Sequence, residues 1–269
     1  MKGILIGADP EFFLRNKETG LPASAVGLIG GSKFEPRRIS DQGEAIQEDG
    51  VACEFNCKPS KDWQELNTSI EYCLDYVKSI IPRELEVLET ASEEFPAFEL
   101  TSHAAQEIGC TPDFEAWTGK KNRISSYNNN WRAVGGHLHL SYPNPTKTTS
   151  VEIIKAMDLF LGVPSVILDK DTQRKILYGK AGAYRMKEWG VEYRTLSNFW
   201  IFNKQLVKWA YENSIKSVEF VLAGKKVSNF LTTNQEEIIA CINNSDKSLA
   251  RTLVDKYKLD ILQEQYVEI

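Results

Sequence analysis

The sequence lacks the long apolar runs, the positive charge and the regular cysteine spacing that mark three large classes of protein. Its longest apolar run, residues 159–168, is interrupted by Pro164 and is too short to cross a bilayer. The chain has 32 basic and 37 acidic residues, which argues against nucleic-acid binding through bulk charge. Its five cysteines are irregularly spaced and predict neither a disulfide framework nor a zinc site. Since no signal-peptide pattern opens the chain, we expect a soluble, cytoplasmic protein without membrane or nucleic-acid partners.

Histidine is also scarce, and two of the three histidines stand one residue apart in "GGHLHLSY", residues 135–142. The segment is short, alternating and bounded by turn residues, which favours a strand. In a strand, His137 and His139 would lie side by side on one face, with Leu138 and Leu140 on the other. Such a pair is typical either of a solvent-facing strand or of a ligand or catalytic site.

Three other segments show the same alternation of an apolar and a polar face. "ADPEF" carries two acids, "CEFNC" an acid and an amide, and "VEYRTL" an acid and an arginine, in each case two residues apart. These polar residues are Asp9, Glu11, Glu54, Asn56, Glu192 and Arg194. Pro10, inside the first segment, predicts a bulge that would re-aim the next side chain, because proline is confined to edges and bulges of sheets.

If the four segments are neighbours in one sheet, their carboxylates would repel one another unless cations neutralise them. Mg²⁺ and Mn²⁺ prefer oxygen ligands and tolerate an added imidazole. The predicted metal ligands are Asp9, Glu11, Glu54, one of His137 and His139, and Glu192. Mg²⁺ is usually completed by substrate phosphates, and Arg194 suits a phosphate oxygen. The residues therefore indicate a nucleotide polyphosphate held over a sheet by metals, although no glycine-rich phosphate loop is present.

Helical periodicity is clearest in residues 62–81 and 203–222. Two capping-box sequences, at residues 149–152 and 233–236, predict further helix starts. We expect Pro164 to interrupt the first of these helices.

Strands early and in the middle of the chain, with helices between and after them, predict an α+β fold with a mainly antiparallel sheet. No linker or low-complexity segment divides the sequence. We expect one catalytic domain over residues 1–269, with the sheet motifs within 1–200 and a mostly helical part in 201–269.

The segments "GADPEF", "DGVACEFN", "GGHLHLSY" and "YGKAGAYRMKEWGVEYRTLSNFW" resemble the phage-type COOH–NH2 ligases. These amidoligases belong to the wider glutamate–cysteine ligase and glutamine synthetase-like superfamily, and the resemblance covers about residues 4–200. It implies a curved antiparallel sheet that forms an active-site funnel, with helices packed on its outer face. It also implies an ATP-dependent ligase that forms an amide or peptide bond through an acyl phosphate.

By the same resemblance, the cofactors are ATP and Mg²⁺ or Mn²⁺. The expected substrates are an amine acceptor and a carboxylate that belongs to a small molecule, a peptide or a cell-wall component. The expected location is the cytoplasm of a host cell infected by a phage. The oligomeric state stays open.

The resemblance also assigns roles to single residues. Asp9 and Glu11 match the paired acids of the family's first strand, and Glu54 matches the acid of the second. The family's histidine ligand falls on His137 or His139.

Two arginines receive roles in the same way. Glu192 and Arg194 match an acid-x-arginine motif, and Arg185 matches an upstream phosphate-binding arginine. We predict that Arg185 and Arg194 are catalytic and that they bind the nucleotide together with Asn56. Related proteins tend to have an acid where this chain has Thr111, so Asp113 receives no role.

Two other functions fit part of the pattern. A metal-dependent hydrolase would use the histidines and acids to activate water, but it has little need of two arginines in the same site. A non-catalytic nucleotide- or peptide-binding relative would keep the fold but not consume ATP. Because an acyl phosphate hydrolyses easily, the ligase also needs loops that exclude water, and residues 27–31 and 125–132 are the candidates.

Overall fold

The centre of the molecule is a ten-stranded sheet. The structure is a computed structural model that describes residues 3–106, 113–122, 130–232 and 234–262. The strands of this sheet are β1 (Leu5–Asn16), β2 (Pro22–Ala23), β3 (Arg37–Arg38), β4 (Ala45–Asp49), β5 (Ala52–Ser60), β6 (Leu85–Leu88), β8 (Phe114–Glu115), β10 (Gly136–Ser141), β11 (Ala183–Lys187) and β12 (Gly190–Tyr193). A second, two-stranded sheet pairs β7 (Ser92–Glu94) with β9 (Trp131–Ala133). The registered strand pairs are antiparallel, as the alternating sequence pattern predicts.

The four segments with a polar face form four consecutive strands. The sheet order is β3-β4-β5-β1-β10-β12-β11-β8, so β5, β1, β10 and β12 are neighbours. The register places Glu11 opposite Glu54. It also places Asp9 opposite His137, and His139 opposite Glu192. The four segments are therefore neighbours in one sheet, as the predicted cation site requires.

The bulge in β1 does not lie at Pro10. The register between β1 and β5 shifts between Ile6 and Ala8, and the registered pairs then pass from Ala8 to Glu11. The amide of Glu11 donates to the Gly135 carbonyl on the β10 side, at 2.8 Å. Successive amides of a strand point toward opposite neighbouring strands, so the position of the missing amide of Pro10 faces β5. The registered pairs between β1 and β5 skip this position, so no hydrogen bond of the sheet is lost there.

The helices are α1 (Trp63–Ile80), α2 (His103–Gln106), α3 (Lys147–Met157), α4 (Val163–Leu168), α5 (Arg174–Leu177), α6 (Lys204–Leu222), α7 (Val227–Phe230), α8 (Gln235–Asn243) and α9 (Lys247–Tyr257). The predicted helices at 62–81 and 203–222 are confirmed as α1 and α6. Their N-caps are Asp62 and Asn203, whose side chains accept the amides of Glu65 and Gln205. Helices α6 to α9 lie between residues 204 and 257.

Both predicted capping boxes are wrong in detail. The N-cap of helix α3 lies three residues before the predicted cap, because the Thr146 hydroxyl already accepts a hydrogen bond from the amide of Thr149. Helix α8 is capped by Asn234, which accepts the amide of Glu236, and Thr233 lies outside the described residues. In each case a neighbouring polar side chain competes successfully for the first free amides of the helix.

The predicted interruption at Pro164 is confirmed. A π-helical turn, Asp158–Gly162, separates α3 from α4, and Pro164 occupies the first turn of α4. Proline lacks the amide that would continue the α-helical ladder, so the preceding turn widens.

The apolar face of the sheet is the core face. Leu138 and Leu140 are fully buried there, in the same apolar cluster as residues of α1, α3 and α6. These helices contact β5, β12 and β1 respectively. The helices therefore cover one face of the sheet and leave the acids and histidines on the other. Among the helices of the described ranges, none has both the length and the apolar character that spanning a bilayer requires.

Candidate active site

A cavity of about 290 Å³ lies over the polar face of the four central strands. Among its lining residues are eight that the sequence predicted for the site: Asp9, Glu11, Glu54, Asn56, His137, His139, Arg185 and Arg194. It is also lined by Lys33, Pro36, Gln47, Asp49 and Lys187. The remaining predicted residue, Glu192, is fully buried and contacts lining residues rather than the cavity itself.

The two glycines before the histidines leave room for groups that pack against this part of the backbone. The amide of Gly135 donates to the Glu11 carboxylate at 2.8 Å, which fixes that side chain toward the cavity. A Cβ at Gly135 would collide with the imidazole of His137. The sequence "GGHLH" therefore combines a close backbone approach with two histidines on one strand face.

Asp9, His139 and Glu192 form the first group of possible metal ligands, called here the histidine cluster. One donor atom from each lies within 4.8 Å of the others. Oδ2 of Asp9 lies 3.2 Å from Nε2 of His139. Oδ1 of Asp9 and Nε2 of His139 are buried without a hydrogen bond, so the site fits a cation that would bind both.

Electrostatics in the histidine cluster favour charged groups. Burial opposes the charge of Asp9, but His139 and His137 hold its pKa well below the ordinary value. Burial likewise opposes the charge of His139, yet Asp9 raises its pKa. Each of the two side chains therefore favours the charged form of the other.

Glu192 is compensated by cations of the protein. It forms a close ion pair with Arg194, and Lys187 Nζ lies 2.9 Å from its second oxygen. Arg185 is 3.7 Å away. Although burial and Asp9 act to raise the pKa of Glu192, Arg194 and the histidines lower it to about 2.

Arg194 is held from both sides. It is 3% exposed, and its Nε donates to Oδ2 of Asp113 at 3.2 Å while another nitrogen donates to Glu192. Asp113, which the sequence left without a role, therefore fixes the guanidinium. Thr111 lies outside the described residues.

Glu11, Asp49 and Glu54 form the second group, called here the carboxylate cluster, again with donor atoms within 4.8 Å. Burial and Asp49 raise the pKa of Glu11 to about 8. Burial, Asp9 and Glu11 raise the pKa of Glu54 well above its ordinary value, although Gln47 donates to it at 2.7 Å. Burial also raises the pKa of Asp49, in spite of Lys33 and two arginines. The cluster fits a divalent cation, because its acids are incompletely neutralised by the protein.

His137 is placed differently from His139. It is 1% exposed and lies outside both ligand groups of the described chain. Its Nδ1 lies 3.2 Å from Asp9 Oδ1 and 3.4 Å from a nitrogen of Arg194. Its Nε2 lies 3.0 Å from the Tyr178 hydroxyl. Burial and Arg194 lower its pKa to about 4, so the ring is neutral at pH 7.

Sequence reasoning missed Asp49 and Gln47, which alternate along β4 just as the other site residues do. Glu48 hid the pattern, because it puts a charge on the face that should be apolar. Its carboxylate accepts the amides of Gly27 and Gly30, both at 2.9 Å. No comparable sequence pattern identifies Lys33, Lys187 or Tyr178 as residues of the site.

The glycine-rich segment 27–31 is not the part of its loop that reaches the cavity. Glu48 anchors its amides, and Arg37 donates to the Ile29 carbonyl at 2.9 Å. The next turn, closed by hydrogen bonds between Ser32 and Glu35, brings Lys33 to the cavity instead. Residues 27–31 do not line the cavity, and their role as a lid stays a prediction. Most of the other candidate lid, residues 125–132, lies outside the described residues.

Residues 122–266 match the family described as phage phiEco32-like COOH.NH2 ligase-type 2. The match covers more than half of the chain. The chain belongs to this family. The predicted phage-type ligase is thus confirmed at the level of the family, and the wider superfamily stays a prediction. Within the ligase match lie both cavity histidines, Arg185, Glu192 and Arg194, whereas the carboxylate cluster precedes it.

Solved structures similar to this chain include a bifunctional glutathione synthetase from Pasteurella multocida, at 10% sequence identity and a TM-score of 0.49. The similarity covers 95% of this chain and 49% of that one, so the chain spans about half the length of the solved relative. No curated protein sequence matches the chain.

Proposed function

We propose that the chain is an ATP-dependent carboxylate–amine ligase that works through an acyl phosphate. The observation that carries the proposal is the cavity, which brings two groups of cation ligands and the buried Arg194 onto one face of adjacent strands. Membership of a COOH–NH2 ligase family supports the reaction class.

Each ligand group would hold one divalent cation. Asp9, His139 and Glu192 would bind the first, and the carboxylate cluster would bind the second. Mg²⁺ or Mn²⁺ bound there would neutralise both the acids and the oxygens of a triphosphate. His137 is then not itself a ligand, because its two ring nitrogens contact Arg194 and Tyr178.

The chain's own contribution to phosphoryl transfer is positioning and charge. Arg194 is fixed by Asp113 and Glu192, so its planar fork is already oriented for a phosphoryl oxygen. Arg185 lines the same cavity one strand away and would bind a second oxygen. Phosphoryl transfer depends mainly on such positioning and charge stabilisation.

The proposed reaction has two steps. A carboxylate oxygen of the substrate attacks the γ-phosphorus of ATP, and the bond to ADP breaks. The amine nitrogen of the second substrate then attacks the acyl carbon, phosphate leaves, and the nitrogen loses a proton to give the amide. We propose a small-molecule, peptide or cell-wall carboxylate as the first substrate.

The test uses hydroxylamine as a surrogate amine, so the natural acceptor need not be known. Purified protein is incubated with ATP, Mg²⁺, hydroxylamine and one carboxylate at a time from a set of amino acids, short peptides and cell-wall peptides. We expect one member to give a hydroxamate and ADP in equal amounts. ATP binding is measured in parallel by calorimetry with and without Mg²⁺.

The outcomes separate the proposal from its alternatives. ADP formation without hydroxamate, at the same rate with every carboxylate, would indicate a hydrolase. ATP binding that does not depend on Mg²⁺, together with no turnover on the whole set, would contradict the ligase and favour a non-catalytic relative.

A further inference from the structure

We propose that Tyr178 and Arg174 are positioning residues that set the orientation and proton position of His137 and the orientation of Arg194. The inference rests on the proposed function only for its activity readout. Neither residue touches the cavity, but both contact residues that line it.

Tyr178 contacts both lining residues through different parts of its side chain. Its hydroxyl lies 3.0 Å from Nε2 of His137, and the two rings meet edge to face, with centroids 5.8 Å apart. The guanidinium carbon of Arg194 lies over the tyrosine ring, 5.2 Å from its centroid. One side chain therefore restrains both the imidazole and the guanidinium.

Arg174 fixes Tyr178 from behind the site. Its guanidinium carbon lies 4.9 Å from the centroid of the tyrosine ring, and Arg174 itself is 1% exposed. The next residue after Tyr178 is glycine with φ of +71°, and a Cβ at Gly179 would collide with the Arg174 guanidinium. Glycine at position 179 therefore leaves room for the guanidinium of Arg174.

The guanidinium of Arg174 also joins the ends of two site strands. It donates to the carbonyls of Val134, Thr195 and Arg194, at 2.5, 2.7 and 3.2 Å. Val134 lies just before β10, and the other two residues follow β12. One buried cation therefore sets the spacing between the strand of the histidines and the strand of Glu192 and Arg194.

These contacts specify where the proton of His137 resides. A guanidinium can only donate, so Nδ1 of His137 accepts from Arg194 at 3.4 Å. The proton of the neutral ring therefore lies on Nε2, which donates to the hydroxyl of Tyr178 at 3.0 Å. Packing alone would require the tyrosine ring but not its hydroxyl.

The test compares Tyr178→Phe with the wild type, and with Tyr142→Phe as a matched control. Tyr142 is a buried tyrosine whose hydroxyl bonds Ser150 outside the cavity. Since the chain has only three histidines, ¹⁵N NMR of the metal-free protein resolves the ring nitrogens of each. We expect wild-type His137 to be protonated on Nε2, and its Nε2 resonance to move in Tyr178→Phe but not in Tyr142→Phe.

Activity gives the second readout. In the hydroxamate assay, Tyr178→Phe should lower kcat by about 10–100-fold with little change in the KM for ATP, as is typical for loss of a group that orients a ligand-binding side chain. Tyr142→Phe should keep wild-type kcat, and both variants should melt near the wild type. Unchanged His137 resonances in Tyr178→Phe would overturn the positioning role even if the protein is a ligase. Shifted resonances in a protein without ligase activity would contradict the proposed function alone.

Discussion

The two ligand groups in the cavity differ in how the protein balances their charge. In the histidine cluster, Asp9 is paired with His139, and Glu192 with Arg194 and Lys187. In the carboxylate cluster, two glutamates lie directly opposite each other on neighbouring strands, and their pKa values are raised by burial and by neighbouring carboxylates. Like charges in that position destabilise a sheet.

This difference in charge balance suggests different roles for the two ligand groups. Because Glu192 is neutralised by the protein, its main contribution is to hold Arg194 rigidly beside the site. Because the carboxylate cluster is incompletely neutralised, it has the stronger requirement for an added cation. The comparison therefore predicts that variants in the two groups fail in different ways.

Among the variants of the two groups, Arg194→Lys should have the largest effect on turnover. Lysine keeps the charge but cannot make the two-pronged contacts of arginine. We expect kcat for hydroxamate formation to fall by about 10²–10³-fold, as for loss of one preorganised donor, with little change in the Mg²⁺ requirement. Arg38→Lys, at an exposed arginine, is the control. Near-normal turnover in Arg194→Lys would make Arg194 a structural partner of Glu192 only.

Asp49→Asn should give the opposite result. It removes one charge from the carboxylate cluster, so the Mg²⁺ concentration for half-maximal turnover should rise by at least about 10-fold. At saturating Mg²⁺, most of the turnover should return. The exposed Asp75→Asn serves as the control, and an unchanged Mg²⁺ requirement would remove Asp49 from the metal site.

These two residues also show what a sequence can and cannot predict. Asp9, Glu11, Glu54, His139, Glu192 and Arg194 were found because strands place alternate residues on one face, and that rule needs no knowledge of distant contacts. Asp49 follows the same rule but was hidden by Glu48, which binds amides of the 27–31 loop. Tyr178 lies outside the sheet, and its contact with His137 depends on tertiary packing that no local pattern reports.

The pH dependence of the free energy of unfolding should report on the carboxylate cluster in particular. Raised pKa values mean that the folded carboxylate cluster holds protons that the unfolded chain releases, so in EDTA the free energy of unfolding should fall as pH rises from about 5 to 8. Glu54→Gln should reduce this fall, and Mg²⁺ should reduce it as well. Urea unfolding at several pH values measures both effects. Glu84→Gln, at an exposed glutamate, should keep the wild-type slope, and a wild-type slope in Glu54→Gln would contradict the assignment.

Nucleotide and metal should stabilise the fold together. With Mg²⁺–ATP at 100 times its dissociation constant, we expect a gain of about 2.7 kcal/mol. Thermal melts with ATP alone, Mg²⁺ alone and both would show this as a shift that exceeds the sum of the separate shifts. Equal shifts for ATP with and without Mg²⁺ would contradict a shared site.

The most direct test of the comparison is calorimetric titration of Mn²⁺ into the metal-free protein, in two buffers that differ in their enthalpy of protonation. We predict that the wild type releases protons as its tighter site fills, because metal binding displaces them from the carboxylate cluster. Glu54→Gln should lose the tighter site and its proton release, whereas His139→Gln should keep both. If Glu54→Gln binds Mn²⁺ as the wild type does and His139→Gln does not, the carboxylate cluster is not the principal metal site, and the account is wrong.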